Sequence, residues 1–173
     1  VSERPEIDRW VISLLNTLVK DVDEYYNTYE PTKAGRAISD FVNDNLSNWY
    51  VRLNRKRFWG GEMTKDKLSA YQTLYTCLET IAKLMAPIFY ADKLFCDLIV
   101  VTEHEKVASV HLSDFPTYDP SVVDKNLEER MQIAQDISSA VLALRRKTNI
   151  KVRQPLTQIM IPVLNDQQGK DLD

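Results

Sequence analysis

At 173 residues the chain is long enough for one ordinary domain with a substantial apolar core. It holds only four glycines, while Leu, Ala, Glu, Lys and Asp are abundant, which disfavours a strand-and-hairpin fold that needs more turn glycine. The sequence has no run of about 18 apolar residues, and its start, VSERPEIDRW, has neither a hydrophobic segment nor a small-residue cleavage site, so a soluble cytoplasmic protein without an export signal or membrane contact is expected.

Apolar residues at Ile7, Val11, Leu14, Leu18, Val22 and Tyr25 fall at helical spacing, and Trp10, Leu15 and Val19 widen the stripe, which predicts a first long helix from Ile7 to Tyr26. A connector follows, with Pro31 suited to a helix start and Thr28 or Thr32 able to cap. The second helix is expected from Thr32 to Phe58, where Gly60-Gly61 stops it. Thr64 suits the N-cap of a third helix, whose seam reads Leu68, Tyr71, Tyr75, Leu78, Ala82 and Met85 and which Pro87 ends. A shorter helix is expected from Tyr90 to Leu98, then a loop from Val100 to Pro120.

From Asp124 to Lys147 the helical period returns through Leu127, Met131, Ala134, Ile137, Val141 and Leu144. Acids at its start and Arg145, Arg146 and Lys147 at its end complement the helix dipole. After Asn149 the chain turns extended, Gln158 to Val163 looks like a short strand, and Leu164 to Asp173 a polar tail. A strand without a partner suggests that the chain stops at the beginning of another module. The expected class is therefore all-α, a bundle of four to five helices over 1–150, with an extended segment and tail over 151–173 that starts a further C-terminal module.

The net charge of −3 conceals a segregation. Residues 50–59 hold Arg52, Arg55, Lys56 and Arg57 and no acid, and residues 145–153 hold Arg145, Arg146, Lys147, Lys151 and Arg153 and no acid; elsewhere 13 basic residues face 25 acidic ones. At about 100° per residue, Leu46, Tyr50, Leu53 and Arg57 share one side of the second helix, and Arg52, Arg55 and Trp59 lie on the other. Arginine forks suit phosphates and an aromatic ring suits an unpaired base, a combination fit for single-stranded RNA loops. The plainer alternative makes Arg52 and Arg55 a solvated helix face and Trp49 and Trp59 core.

The stretch LSNWYVRLNRKRFW, residues 46–59, resembles the segment that identifies isoleucyl-tRNA synthetases of the group that includes the eukaryotic cytoplasmic enzymes, within the class I synthetases. Glu6-Ile7-Asp8-Arg9-Trp10, residues 31–38 (PTKAGRAI), Leu84-Met85-Ala86-Pro87, residues 109–116 (SVHLSDFP) and residues 152–156 (VRQPL) resemble further parts of the anticodon-binding domain, in the same order. The chain departs from the family at residues 86–90, where a second Pro is common, and it lacks the His-Ile-Gly-His and Lys-Met-Ser-Lys-Ser types of nucleotide motif.

The resemblance implies recognition of the tRNA(Ile) anticodon stem-loop by a monomeric part of an isoleucine–tRNA ligase, with Arg52, Arg55, Lys56, Trp59, Arg145, Arg146, Lys151 and Arg153 as candidate tRNA-binding residues. It places ATP, magnesium, aminoacylation and editing in the remaining domains, and leaves this segment with no catalytic residue, metal or cofactor. A helical protein-interaction module and the equivalent domain of a valine enzyme are the alternatives.

Other clusters carry less. His104 and His111, near Glu103, Glu105 and Asp114, lack metal-ligand spacing. Glu24, Asp40 and Asp44 have no accompanying nucleophile. Cys77 and Cys96 are expected as reduced, buried thiols.

Overall fold

The computed structural model describes residues 3–103, 106–162 and 169. Among the described residues six α-helices of five or more residues occur in chain order: α1 (Glu6–Asn27), α2 (Pro31–Asp40), α3 (Arg55–Trp59), α4 (Lys65–Met85), α5 (Asp92–Thr102) and α6 (Lys125–Lys147). A π-helical stretch, Phe41–Val51, leads out of α2, and single 3-10 turns lie at Val110–Leu112 and Pro120–Val122. Among the described residues there is no strand, so the all-α class holds, and no helix is long and apolar enough to cross a membrane. The helices divide between two compact units, Val1–Asp124 and Lys125–Asp173.

In the first unit α1 lies at the centre, in contact with α2, the π-helical stretch and α4. Its buried stripe is Trp10, Val11, Ile12, Leu15, Leu18, Val19 and Val22, packed with Ala34, Ile38, Phe41, Leu46 and Tyr50 in the core. The stripe also includes the polar residue Asp8, which is fully buried. α1 ends where Tyr29 takes a left-handed conformation (φ 59°) and the Glu30 amide reaches back to the Tyr25 carbonyl at 2.8 Å. Neither threonine caps α2. Thr28 turns its hydroxyl to the Glu24 carbonyl at 2.9 Å, and α2 opens on Pro31, which has no amide to satisfy.

The single helix expected from Thr32 to Phe58 is interrupted. Over Phe41–Val51 the helix widens, so that the Arg52 amide bonds the Ser47 carbonyl five residues back. Each residue then advances by less than the ordinary helical angle, and at Asn54 (φ −90°, ψ 9°) the backbone leaves the helix before α3 begins. Of the expected inner side, Leu46 and Tyr50 are buried and Arg57 largely so, but Leu53 is exposed.

The expected seam of α4 is rotated. Its core side is Ala70, Thr73, Cys77, Ile81 and Leu84, whereas Leu68 and Tyr71 are exposed. Small side chains let α4 approach α1, while the tyrosines keep their hydroxyls on acceptors at the rim: Tyr71 donates to the Phe58 carbonyl at 3.0 Å. Thr64 caps α4 as expected, accepting from the Lys67 amide at 3.2 Å.

A smaller apolar cluster of Ala82, Ala91, Phe95, Ile99 and Val110 joins α4, α5 and the first 3-10 turn. α5 starts later and runs further than expected, to Thr102, where Glu103 (φ 51°) closes it. Cys77 is buried, and burial pushes its thiol up to about 12; Cys96 is only partly buried, contrary to expectation, because it lies at the edge of the smaller cluster.

In the second unit α6 buries Leu127 and Gln135, and most of its expected apolar side is less covered, with Leu144 exposed. Asn149 (φ 55°) ends it, and the Ile150 amide returns to the Arg145 carbonyl at 2.9 Å. Residues 158–162 form no strand and are exposed, since a strand needs a partner edge and the described chain offers none. Val163 and the expected tail, apart from Gly169, lie outside the described residues, as do His104 and Glu105.

Candidate nucleic-acid interface

The segment from Arg52 to Gly60 sorts its side chains by environment. Asn54 and Phe58 are buried and Arg57 is largely buried, while Arg52, Leu53, Arg55, Lys56, Trp59 and Gly60 line a shallow depression open to solvent. This alternation arises because the backbone breaks at Asn54. The Asn54 side chain donates to the Tyr50 carbonyl at 2.8 Å and accepts from Arg57 at 2.8 Å, so both of its buried polar ends are paired.

Two anchors hold α3. Phe58 packs edge-on against Tyr50, with ring centroids 6.3 Å apart, and against Tyr71 at 5.5 Å. Arg57 reaches inward with both terminal nitrogens on the Asp8 carboxylate, at 2.7 and 3.0 Å, and turns Nε and one terminal nitrogen to the Asp66 carboxylate, at 2.9 and 2.7 Å. Asp8 also accepts from the Tyr50 hydroxyl at 2.9 Å and the Ser69 hydroxyl at 2.7 Å.

Burial by itself pushes the Asp8 carboxyl up; hydrogen bonds from Arg57, Ser69 and Tyr50, with the Arg57 charge, outweigh it and hold the group below its ordinary value. The Arg57 guanidinium is in turn held charged, chiefly by its hydrogen bonds to Asp8.

With Arg57 turned inward, the other cations of the segment remain outside. The Arg55 guanidinium lies over the Trp59 indole, 5.0 Å from the ring centroid, and the indole is 77% exposed. The reading of Trp59 as core is thus overturned, while Trp49 is partly buried. None of Arg52, Arg55 and Lys56 forms an ion pair with a described carboxylate of this unit. α3 ends at Gly60, where a Cβ would lie 2.9 Å from the Lys56 carbonyl, so the close turn requires glycine. Lys67 bonds the Gly60 carbonyl and so ties this corner to α4.

The second basic segment, in the other unit, is organised differently. Arg145 is spent on the backbone, donating to the carbonyls of Lys151 at 2.8 Å and Gln154 at 2.9 Å, which folds residues 150–154 back over the end of α6. Arg146, Lys147, Lys151 and Arg153 are exposed. Among the described residues no group of three or more His, Cys, Asp or Glu is placed to hold a metal ion, and His111 stacks on Tyr90 with centroids 5.7 Å apart.

Sequence reasoning missed Asp8 as the anchor of the site. A signal was present: Asp8 lies at helical spacing with Val11, Ile12, Leu15 and Val22, a carboxylate on an apolar stripe that requires a buried cation as partner.

Comparison with known proteins agrees with this arrangement. A family model described as the anticodon-binding domain of tRNA ligase matches residues 8–161. Over its whole length the chain is 71% identical to an isoleucine–tRNA ligase of Bacteroides thetaiotaomicron and 73% identical to one of Bacteroides fragilis. It is 48% identical, over 92% of its length, to an isoleucine–tRNA ligase of Dehalococcoides mccartyi. The chain spans about 15% of the length of the two Bacteroides relatives and 16% of the third.

Proposed function

Because the chain belongs to the anticodon-binding domain family of tRNA ligases, we propose that it recognises the anticodon stem-loop of tRNA(Ile) and positions it for an isoleucine–tRNA ligase. The ATP- and magnesium-dependent chemistry then belongs to the remaining domains of that polypeptide, a monomer of the cytoplasm. The observation that carries the reading is the exposed Trp59 indole with Arg55 over it, among cations that have no described carboxylate partner. Anticodon bases are unpaired, and an exposed ring offers each a stacking surface while Arg52, Arg55 and Lys56 neutralise the flanking phosphates. Arg146, Lys151 and Arg153 supply further phosphate contacts; Arg145 contributes by shaping the segment that carries Lys151 and Arg153.

The test is equilibrium binding of an isoleucine tRNA transcript to the chain across a salt series. Affinity should fall linearly on a log–log plot as salt rises. Exchanging the anticodon for a valine one should weaken binding more than an equal number of changes in the acceptor stem. A folded chain that binds no tRNA at low salt would overturn the proposal and favour a protein-binding surface.

A further inference from the structure

α3 has five residues, too few for a helix to hold itself in water. Yet both side chains that form the stacking surface, Arg55 and Trp59, are carried on it. Its fixation comes from Phe58 and from Arg57, whose guanidinium makes six hydrogen bonds: two to Asp8, one to Asn54 and three to Asp66. Asp8 is fully buried on α1, whereas the Asp66 side chain is 53% exposed in the first turn of α4. Net stability does not account for the Asp66 half of this fork, since ion pairs with an exposed partner contribute little. What the second carboxylate adds is direction. The two-bond pair to Asp8 and the bond to Asn54 fix the guanidinium from the α1 side; Asp66 ties the same group to the first turn of α4, so that the middle of α3 is held from both helices, and Arg55 and Trp59 flank it two residues away on either side.

We propose that Arg57 and Asp66 are positioning residues: the two-sided fork locks α3 so that Arg55 and Trp59 present one preformed surface to an unpaired RNA base. This rests on the RNA-binding reading above. A preformed platform avoids the cost of ordering rotamer-rich side chains on binding, so its loss appears as weaker affinity without loss of fold.

The sign of the effect separates positioning from simple electrostatics. Asp66→Asn removes a negative charge near the proposed RNA site, which by charge alone tightens tRNA binding. Positioning requires the opposite. The chain is labelled with 5-fluorotryptophan, and the three signals, from Trp10, Trp49 and Trp59, are assigned with Trp49→Phe and Trp59→Phe. In Asp66→Asn the Trp59 signal is expected to move toward its position in urea while that of buried Trp10 stays. The dissociation constant for the isoleucine tRNA transcript is expected to rise about fivefold, the loss of part of one stacked base. An unmoved Trp59 signal, or binding that is unchanged or tighter, overturns the proposal while leaving RNA recognition intact. Absence of tRNA binding by the unsubstituted chain instead overturns the recognition reading and this proposal with it. Should Asp66→Asn not fold, Arg57→Lys keeps the charge, gives up the two-sided fork and carries the same two readouts.

Discussion

The two basic segments have similar charge and no acid, yet they are built on different plans. In residues 50–59 one arginine is turned inward onto a buried carboxylate, and its anchoring leaves Arg55, Lys56 and Trp59 outside on a fixed helix, with Arg52 beside them. In residues 145–153 the inward arginine, Arg145, meets backbone carbonyls, and the remaining cations sit on a helix end and an exposed segment with no aromatic neighbour among residues 145–153. A run of basic residues therefore does not by itself define a recognition surface. A buried counter-anchor and an exposed ring give the first segment a defined shape, while the second presents exposed charge without a ring.

Breaking the anchor is the severest way to test that contrast. Asp8→Ala leaves Arg57, Tyr50 and Ser69 without their shared acceptor, and urea unfolding should show a loss of about 3 kcal/mol, in line with removing one partner of a buried ion pair. Arg145→Ala removes no buried charge and should leave the unfolding midpoint within about 0.5 kcal/mol of the parent value.

Trp59→Ala comes next. Because the ring is exposed, the urea midpoint should hold, while tRNA affinity falls by about 1–3 kcal/mol in a filter-binding or anisotropy titration. A fall in stability of similar size would mean that the ring is packing and not a platform.

The acid limb of stability sharpens the picture further. Asp8 has its carboxyl held below its ordinary value of 3.8, so its contribution is fully present above that pH and is lost as pH drops through the lower folded-state value. Urea midpoints of the parent chain should therefore decline below pH 3.8, and Asp8→Asn should lack that part of the decline. Asp92 and Asp119, also held low by hydrogen bonds, keep the remainder of the slope in both proteins.

The smallest effect is expected in the second segment. Lys151→Ala should weaken tRNA binding evenly, whatever the anticodon, and reduce the salt slope by about one. A loss confined to isoleucine anticodons would show that this segment, too, reads bases.

Much of the fold was legible along the chain because capping and helix termination are local. Pro31, Thr64, Gly60 and Asn149 act within a few residues, and the structure starts or stops helices at each of them. The orientation of helix faces was less legible. α4 has apolar residues on more than one side, so periodicity alone selected Leu68 and Tyr71, whereas close packing against α1 selected the small residues Ala70 and Thr73. The π-helical widening at Phe41–Val51 left no period to read, and it moved Leu53 to the surface.

The sequence by itself determined the helical class, the two acid-free basic segments and, through residues 46–59, the family; these depend on residue type and short-range order alone. Helical spacing also set Arg57 on the inner side and Arg52, Arg55 and Trp59 on the outer one, as the structure has them; tertiary structure decided what the inward arginine meets. Arg55 and Arg57 are two positions apart and chemically identical, yet one lies over an exposed indole and the other is bound between two carboxylates. The partner that holds Arg57 inside is Asp8, 49 residues away along the chain. A carboxylate buried on α1 has to be neutralised wherever the fold brings a cation to it, and only the packing of α1, α3 and α4 shows that the cation is Arg57.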